Sequence, residues 1–176
     1  STLKREVPAL FKDPSYQWNG NRYKIDFKFN NTMDILSFTM PGLYIAENTT
    51  LNANLNDRGR FNASLNSQRI AFKKQYLKDV NLSINNNDDK LVGELKGSEL
   101  QVATLKLNEN SLRILAEDNH IGAGYTYDNN SELENRGEFI IHGDLHREST
   151  GLGMDIRPLP STVYLNSREW RIRPSH

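Results

Sequence analysis

The sequence predicts an all-β fold, an antiparallel meander that curves into a twisted sheet or a half-pipe groove. Apolar and polar residues alternate along about a dozen short runs, and this is the period of β-strands. Short polar turns rich in Asn, Asp and Gly separate the runs, so sequential strands are expected to pair as hairpins. Helical periodicity is nearly absent. Only the amino-terminal segment is compatible with a short helix, whose length Pro8 limits.

The stretch NSLRILAEDNHIGAGYTYDN shows the hairpin pattern in full. Leu112 and Ile114 fall at alternate positions before a short polar break, and Ile121, Ala123 and Tyr125 alternate after it. Two alternating runs around a brief polar break are typical of an antiparallel hairpin with one apolar face. The stretch therefore predicts a strand, a tight turn and a returning strand.

Other runs repeat this arrangement. The runs TLNANLN and FNASLN flank the turn DRGR and predict a second hairpin, and RYKIDFKF is the clearest single strand. In RYKIDFKF, the charged Lys24, Asp26 and Lys28 point away from the apolar residues. The residues expected to share one apolar face, and to line a groove if that face is open, are Ile25, Phe27, Phe29, Leu51, Ala53, Leu55, Phe61, Ala63, Leu65, Leu82, Ile84, Leu105, Leu107, Leu112, Ile114, Ile121, Ala123, Tyr125, Phe139 and Ile141.

Composition excludes several functional classes. The formal net charge is zero and the pI is about 6.9, so no basic surface for nucleic acid is expected. The chain has no cysteine, which removes disulfides, thiolate metal sites and cysteine nucleophiles. No apolar run approaches the roughly 20 residues that a membrane-spanning helix needs. The remaining classes are a binding, transport or interaction protein, or an enzyme with other chemistry.

One cluster of residues has catalytic or metal-binding chemistry. In the run HGDLH, His142, Asp144 and His146 fall on one face of a predicted strand. Two imidazoles and a carboxylate are ligand types of zinc and non-haem iron sites. Alternate residues on a strand lie roughly 7 Å apart and project in parallel, so they converge poorly on one ion. We therefore interpret this cluster as a solvated polar face, and expect no catalytic residue, no metal and no cofactor; the chain is not expected to be an enzyme.

Two architectures fit the alternation. In a sandwich, two sheets pack face to face about 10 Å apart and the apolar residues form only a core. In a half-pipe, one long sheet leaves its inner face accessible to an apolar ligand. Small residues in the apolar set, such as Ala53, Gly93 and Gly143, leave space beside the larger ones. The chain ends on VYLNSREWRIRPSH, still strand-like, so we expect residues 1–176 to be one segment of a longer repetitive protein.

Three stretches carry a family resemblance: PGLYIAENTTLNANLNDRGRFNASLNSQRIAFKKQYLKDVNLSINNNDDKL, LKLNENSLRILAEDNHIGAGYTYDN and LPSTVYLNSREWRI. Together they resemble the TamB (translocation and assembly module) and AsmA-like family of Gram-negative envelope proteins. The phrase PSTVYLNSREWRI and the paired runs LNANL and FNASL carry most of the likeness. The similarity extends from about Arg22 to the end of the chain.

The resemblance implies a hydrophobic β-groove that spans the periplasm from an inner-membrane anchor toward an outer-membrane Omp85-type barrel. It also implies phospholipid transport between the two membranes and a part in outer-membrane assembly, with the apolar residues named above lining the groove. The expected partners are phospholipid acyl chains and, through the full-length protein, the barrel. An acyl chain in such a groove would gain roughly 0.8 kcal/mol per buried methylene.

An alternative function stays open. The apolar residues would then be a dry core, and exposed edge strands would bind a client by strand addition, as a periplasmic chaperone for unfolded barrel proteins does. Lipid in an organic extract of the purified protein favours the conduit, whereas peptide binding at an edge without lipid favours the interaction module.

Overall fold

The structure, a computed structural model, describes residues 8–10, 20–30, 39–86, 90–129, 134–148 and 151–174. Of these residues, 74% lie in one antiparallel sheet of 12 strands, which does not close into a barrel. This confirms the predicted all-β meander. Of the predicted amino-terminal helix, the described part is the 3₁₀ turn Pro8–Leu10; residues 1–7 and 11–19 lie outside the described ranges.

The strands follow one another with short connections. In chain order they are β1 Tyr23–Phe29, β2 Leu43–Ile45, β3 Thr49–Leu55, β4 Phe61–Phe72, β5 Gln75–Asn85, β6 Leu91–Val102, β7 Leu105–Glu117, β8 His120–Asp128, β9 Arg136–Arg147, β10 Leu152–Pro158, β11 Ser161–Leu165 and β12 Arg168–Ile172.

The sheet order explains why the fold is a single layer. The main path is β1-β3-β4-β5-β6-β7-β8-β9-β11-β12, with β2 added beside β4 and β10 added beside β9. The central strands β4 to β9 are mostly 11 to 13 residues long, whereas the strands at both edges are shorter. Because the described strands all belong to this one sheet, they do not form the two-sheet sandwich that the sequence also allowed.

Tight turns set the register of the hairpins. Asp118 and Asn119, between β7 and β8, have φ values of 45° and 66°. A two-residue hairpin turn with positive φ at both positions matches the twist of the flanking strands, and Asp and Asn tolerate that conformation best. The turn pairs Ile114 with Ala123 and Leu112 with Tyr125, so the predicted hairpin is confirmed.

The second predicted hairpin is also confirmed. In the β3–β4 pair, Leu51 lies opposite Leu65 and Leu55 opposite Phe61. On the other side of β3, Phe27 lies opposite Leu51. Directly opposed residues of an antiparallel pair project to the same side of the sheet. The apolar residues of β1, β3 and β4 therefore share one face.

The alternation is interrupted along one line across the sheet. Asp79 in β5 and Glu109 in β7 have left-handed backbone, with φ of 48° at each. A left-handed residue inside a strand breaks the simple alternation of side chains, so apolar positions change from even to odd numbers across it. We call the row of residues next to this line the crease; its members are Thr49, Ser67, Val80, Gly97, Asn110 and Tyr127. Ser67 lies opposite Val80 and Gly97 opposite Asn110, and Thr49 is hydrogen-bonded to Ser67.

The contact between Leu77 and Gly97 shows the effect of this interruption. A Cβ atom built on Gly97 would lie 2.7 Å from Cγ of Leu77, so Leu77 leans over the glycine. Gly97 is in the same alternating set as Leu95, the cross-strand partner of Leu82. Leu77 and Leu82 therefore share a face although they are separated by an odd number of positions.

Candidate functional site: an open apolar face

The apolar side chains form continuous rows across the sheet. We call the side of the sheet that carries these rows the apolar face, and the other side the polar face. One row crosses eight strands by direct pairing; it consists of Phe27, Leu51, Leu65, Leu82, Leu95, Leu112, Tyr125 and Phe139. The neighbouring row consists of Ile25, Ala53, Ala63, Ile84, Gly93, Ile114, Ala123 and Ile141.

The structure brings all the predicted apolar residues to this one face. Leu55 and Phe61 lie in the row beyond Ile25, in which Ile121 also lies. Leu107 reaches the face on the far side of the crease, because it pairs with Leu100, which pairs with Leu77. Whether these residues line a lipid groove is a question of function and stays a prediction.

Large parts of the apolar face are open to solvent. The exposed fractions are 59% for Phe27, 48% for Ile25 and 38% for Ile114. Residues of a closed core are almost completely buried, and a sheet face carries such exposure only where no second layer covers it. The alternation of isoleucine with alanine and glycine in the second row makes the surface uneven, with shallow space beside the larger side chains.

The crease is a buried row of the same face. Thr49 is 0% exposed, and its hydroxyl donates to the carbonyl oxygen of Ala46 at 2.6 Å and shares a second hydrogen bond with Ser67, also 2.6 Å. Val80, next to Ser67 by register, is also buried. Buried polar groups are tolerated when they are hydrogen-bonded, as these are. Because the sheet has no second layer in the described part of the chain, neighbouring side chains of the same face must bury this row. Leu77, which leans over Gly97, is one of them.

A polar cluster around Asn110 closes the crease at β7 and β8. Tyr125 donates its hydroxyl to Oδ1 of Asn110 at 2.6 Å, and Asn110 donates to the carbonyl oxygen of Leu107 at 2.7 Å. The rings of Tyr125 and Tyr127 stack with centroids 5.8 Å apart. Burial raises the pKa of Tyr125 to about 12, and the neighbouring Tyr127 adds to this. Both tyrosines therefore stay neutral at physiological pH and add no charge to the face.

The amino-terminal 3₁₀ turn covers one end of the apolar face. Ala9 packs against the buried Ala116 and Leu145. Its amide donates to Oδ1 of Asn119 at 2.8 Å, and its carbonyl oxygen accepts from the Arg147 guanidinium at 2.6 Å. The Ala9 backbone is thus fixed by hydrogen bonds to two side chains, and the turn covers the buried Ala116 of β7 and Leu145 of β9.

The histidine cluster lies on the polar face. Asp144 contacts His120 at 2.5 Å and also pairs with Arg157, and these contacts hold the pKa of the Asp144 carboxyl below its usual range. His146 lies 3.1 Å from Glu148 and its pKa is raised, first because of that hydrogen bond. Within the described ranges, no group of three or more His, Cys, Asp or Glu side chains is arranged to hold a metal ion.

In the described part of the chain, two of the cavities open on the polar face beside β8 and β9. One, of about 810 Å³, lies between β8–β9 and β11–β12 and is lined by charged residues including Arg171 and Arg136, the latter 4.7 Å above the ring of Tyr164. The other, of about 510 Å³, has Gly122 and Gly124 as its floor. Of the predicted groove-lining residues, Ala123 alone borders either cavity. The apolar face is therefore a broad surface distinct from these cavities.

Residues beyond the crease were missed by simple alternation. Ile70, Leu77 and Leu100 pair with one another across three strands and belong to the apolar face. The sequence does carry a signal for them. In YLKDVNL the apolar residues Leu77 and Val80 are three positions apart instead of two, which marks the position where a strand changes face.

Comparison of the chain with protein families, with curated proteins and with solved structures finds no match. In the described part of the chain, no helix has the length and apolar character required to cross a bilayer.

Proposed function

We propose that this chain is a segment of a periplasmic hydrophobic β-groove of the TamB and AsmA-like type, whose apolar face conducts phospholipid between the inner and outer membranes. Such a segment supports outer-membrane assembly through a full-length protein that docks on an Omp85-type barrel. The observation that carries the proposal is the exposed apolar face, which runs across eight strands without a charged residue in either of its two rows.

The dimensions of the apolar face suit an acyl chain. Strands in a sheet lie about 4.8 Å apart, so a row across eight strands is about 34 Å long before the sheet curves. The hydrocarbon core of a bilayer is about 30 Å thick and holds two layers of acyl chains, so one chain fits within a row. A lipid chain on this surface replaces water over exposed residues such as Phe27 and Ile25.

The chemistry of the apolar face favours sliding over fixed binding. Contacts with leucine, isoleucine and phenylalanine are non-directional, so the interaction energy changes little as a chain moves along a row. The polar groups nearest the rows, Asn110 and the Tyr125 hydroxyl, already bond to each other. Head groups therefore find no fixed charge along the rows and stay at the open side of the face.

A charge placed in the middle of a row tests the proposal. Ala123 lies between Ile114 and Ile141 on the apolar face. An acyl chain does not solvate a carboxylate, so Ala123→Asp is expected to abolish binding of a fluorescent phospholipid while a cooperative unfolding transition remains. The matched control is Thr126→Asp in the same strand, on the polar face, and it should bind lipid like the parent.

Two results would contradict the proposal. If Ala123→Asp unfolds the chain outright, the row is a sealed core, because an unpaired carboxylate in a closed core costs several kcal/mol. If the variant folds and binds lipid as well as the parent, then the face does not carry lipid at this position. Lipid in an organic extract of the purified chain, measured by mass spectrometry, is the independent check.

A second candidate function is strand addition at an exposed edge, favoured by β1. This strand pairs with β3 on one side, and its alternate residues Tyr23, Ile25 and Phe27 are exposed. An edge strand of this kind binds an extended client segment through main-chain hydrogen bonds. Binding of an unfolded barrel-strand peptide by a chain that contains no lipid would favour this function over the conduit.

A further inference from the structure

The edge strand β1 has a sequence that is complementary to itself. Antiparallel pairing of two copies about a two-fold axis at Phe27 places Phe27 against Phe27 and Ile25 against Phe29. The same register places Asp26 of each copy opposite Lys28 of the other, on the polar face. Cross-strand pairs of opposite charge and pairs of apolar residues both stabilise antiparallel sheets. We propose that two copies of this chain associate through β1 in this register.

The two-fold geometry keeps the faces aligned. An axis perpendicular to the sheet reverses the strand direction of the second copy and leaves its apolar face on the same side. The row that ends at Phe27 then continues across the axis into the same row of the other copy, and the row that ends at Ile25 continues into the row of Phe29 and Thr49. The dimer therefore extends the sheet beyond β1 and joins the two apolar faces into one surface.

Charge selects this register from its neighbours. A two-fold axis at Asp26 would place Asp26 against itself and Lys24 against Lys28. An axis at Ile25 would pair Lys24 with Asp26, but it would also place Lys28 against Arg22. Like charges directly opposite each other destabilise a strand pair. The register centred on Phe27 gains opposite-charge pairs without a like-charge pair, so it is the favoured one.

Within the described part of one copy, the ion pairs of β1 do not involve Lys28, so its charge is available to the second copy. Lys24 pairs with Asp26 at 2.9 Å in the same strand. In the described part of the chain Lys28 makes no ion pair. Lysines on edge strands commonly discourage edge-to-edge association. In this register, however, each Lys28 gains a carboxylate instead of meeting a second lysine.

The edges at the other side of the sheet are less suited to pairing. In β10, Pro158 has no N–H to donate, and Arg157 is already paired with Asp144. In β12, Glu169 and Arg171 pair with each other. Both of these ion pairs form within one copy, whereas Lys28 has no ion-pair partner in the described part of its own copy.

Charge reversal at two positions tests the dimer. In the parent, sedimentation equilibrium over a range of concentrations should show a monomer–dimer equilibrium without larger species. Lys28→Asp puts Asp26 opposite an acidic residue at two symmetric sites, and Asp26→Lys puts Lys28 opposite lysine. Each single variant should raise the dimer dissociation constant by about tenfold or more, since each lost or repulsive pair counts twice.

Mixing the two variants gives the decisive measurement. In a mixed pair, one copy carries aspartate at both positions and the other carries lysine at both. Every charged pair across the axis is then of opposite sign, so a heterodimer should form at near the parent affinity. The control is Ile156→Lys in β10, which is similarly exposed and should leave the dimer unchanged.

Three results would each overturn the proposal. They are a parent that stays monomeric at millimolar concentration, a mixture of the two variants that stays monomeric, and loss of the dimer in Ile156→Lys. None of these measurements involves lipid, so they stand apart from the transport function.

Discussion

The crease and the two rows that run from Phe27 to Phe139 and from Ile25 to Ile141, here called the outer rows, belong to the same apolar face but have different environments. At the crease, Thr49 and Val80 are 0% and 3% exposed, and the polar groups are hydrogen-bonded to each other. In the outer rows, Ile25 and Phe27 are about half exposed, and nothing in the described part of the chain covers them. The crease contains polar side chains such as Thr49, Ser67 and Asn110, whereas the outer rows are almost entirely apolar, so apolar alternation marks the open region of the face and not the sealed one.

The difference separates stability from binding. Burial of a side chain stabilises a fold in proportion to the apolar area removed from water, and every residue of the crease is buried. The outer rows gain less on folding, and their exposed area remains available to a ligand or a partner strand. A mutation at the crease should therefore change the free energy of unfolding, and a mutation in the outer rows should change binding.

The largest expected effect on stability comes from adding a methyl group at the crease. In Gly97→Ala the new Cβ would lie 2.7 Å from Cγ of Leu77 and 3.0 Å from the Lys78 carbonyl oxygen. Leu77 and the β5 backbone must move, which costs about 1–3 kcal/mol by analogy with overpacked cores. Urea denaturation followed by circular dichroism measures the loss.

The matched control is Gly124→Ala on the polar face. A Cβ at Gly124 meets no atom within 4 Å, and its φ is not positive. Alanine there restricts the unfolded chain without strain, so the variant should be as stable as the parent or more stable by about 0.4–1 kcal/mol. If the two substitutions destabilise the chain equally, side chains pack around Gly97 no more closely than around Gly124.

Alkaline pH should weaken the crease through Tyr125. Its pKa is raised to about 12 in the folded chain and is about 10 when unfolded. The stabilising contribution is therefore complete below pH 10 and is lost as pH rises toward 12. Two pKa units correspond to at most about 2.7 kcal/mol, and partial exposure of the ring reduces this to about 1 kcal/mol.

Tyr125→Phe provides the comparison for this pH dependence. The variant leaves Oδ1 of Asn110 without the tyrosine donor and should be less stable at pH 8 by about 1 kcal/mol. Between pH 10 and 12 its stability should fall less steeply than that of the parent. Parallel curves for the two proteins over this range would mean that Tyr125 is not protected from ionisation.

The sequence was sufficient to predict the strands and their shared face. Alternation around polar turns identified the hairpins, because one buried or semi-buried face imposes a period of two. Simple alternation did not predict the crease, because it assumes extended backbone along each strand, whereas Asp79 and Glu109 are left-handed. The sequence also did not predict how exposed each apolar residue is. Phe27 and Leu65 are both apolar at alternating positions, and only the sheet order shows that Phe27 lies at an edge.

The smallest expected effect is at the polar face, where His142, Asp144 and His146 lie. We predict that replacing all three together with Asn or Gln changes the free energy of unfolding by less than about 0.5 kcal/mol, as is usual for surface positions. The pKa of Asp144 is lowered by His120 and Arg157, so its contribution is present above its unfolded pKa and is lost as pH falls through the folded value. The triple variant should therefore differ from the parent chiefly in losing part of the acid dependence of stability below about pH 4. Lipid binding should be unchanged, because these residues lie on the other side of the sheet from the apolar rows. If a well-folded triple variant no longer binds lipid, the candidate site lies on the polar face instead.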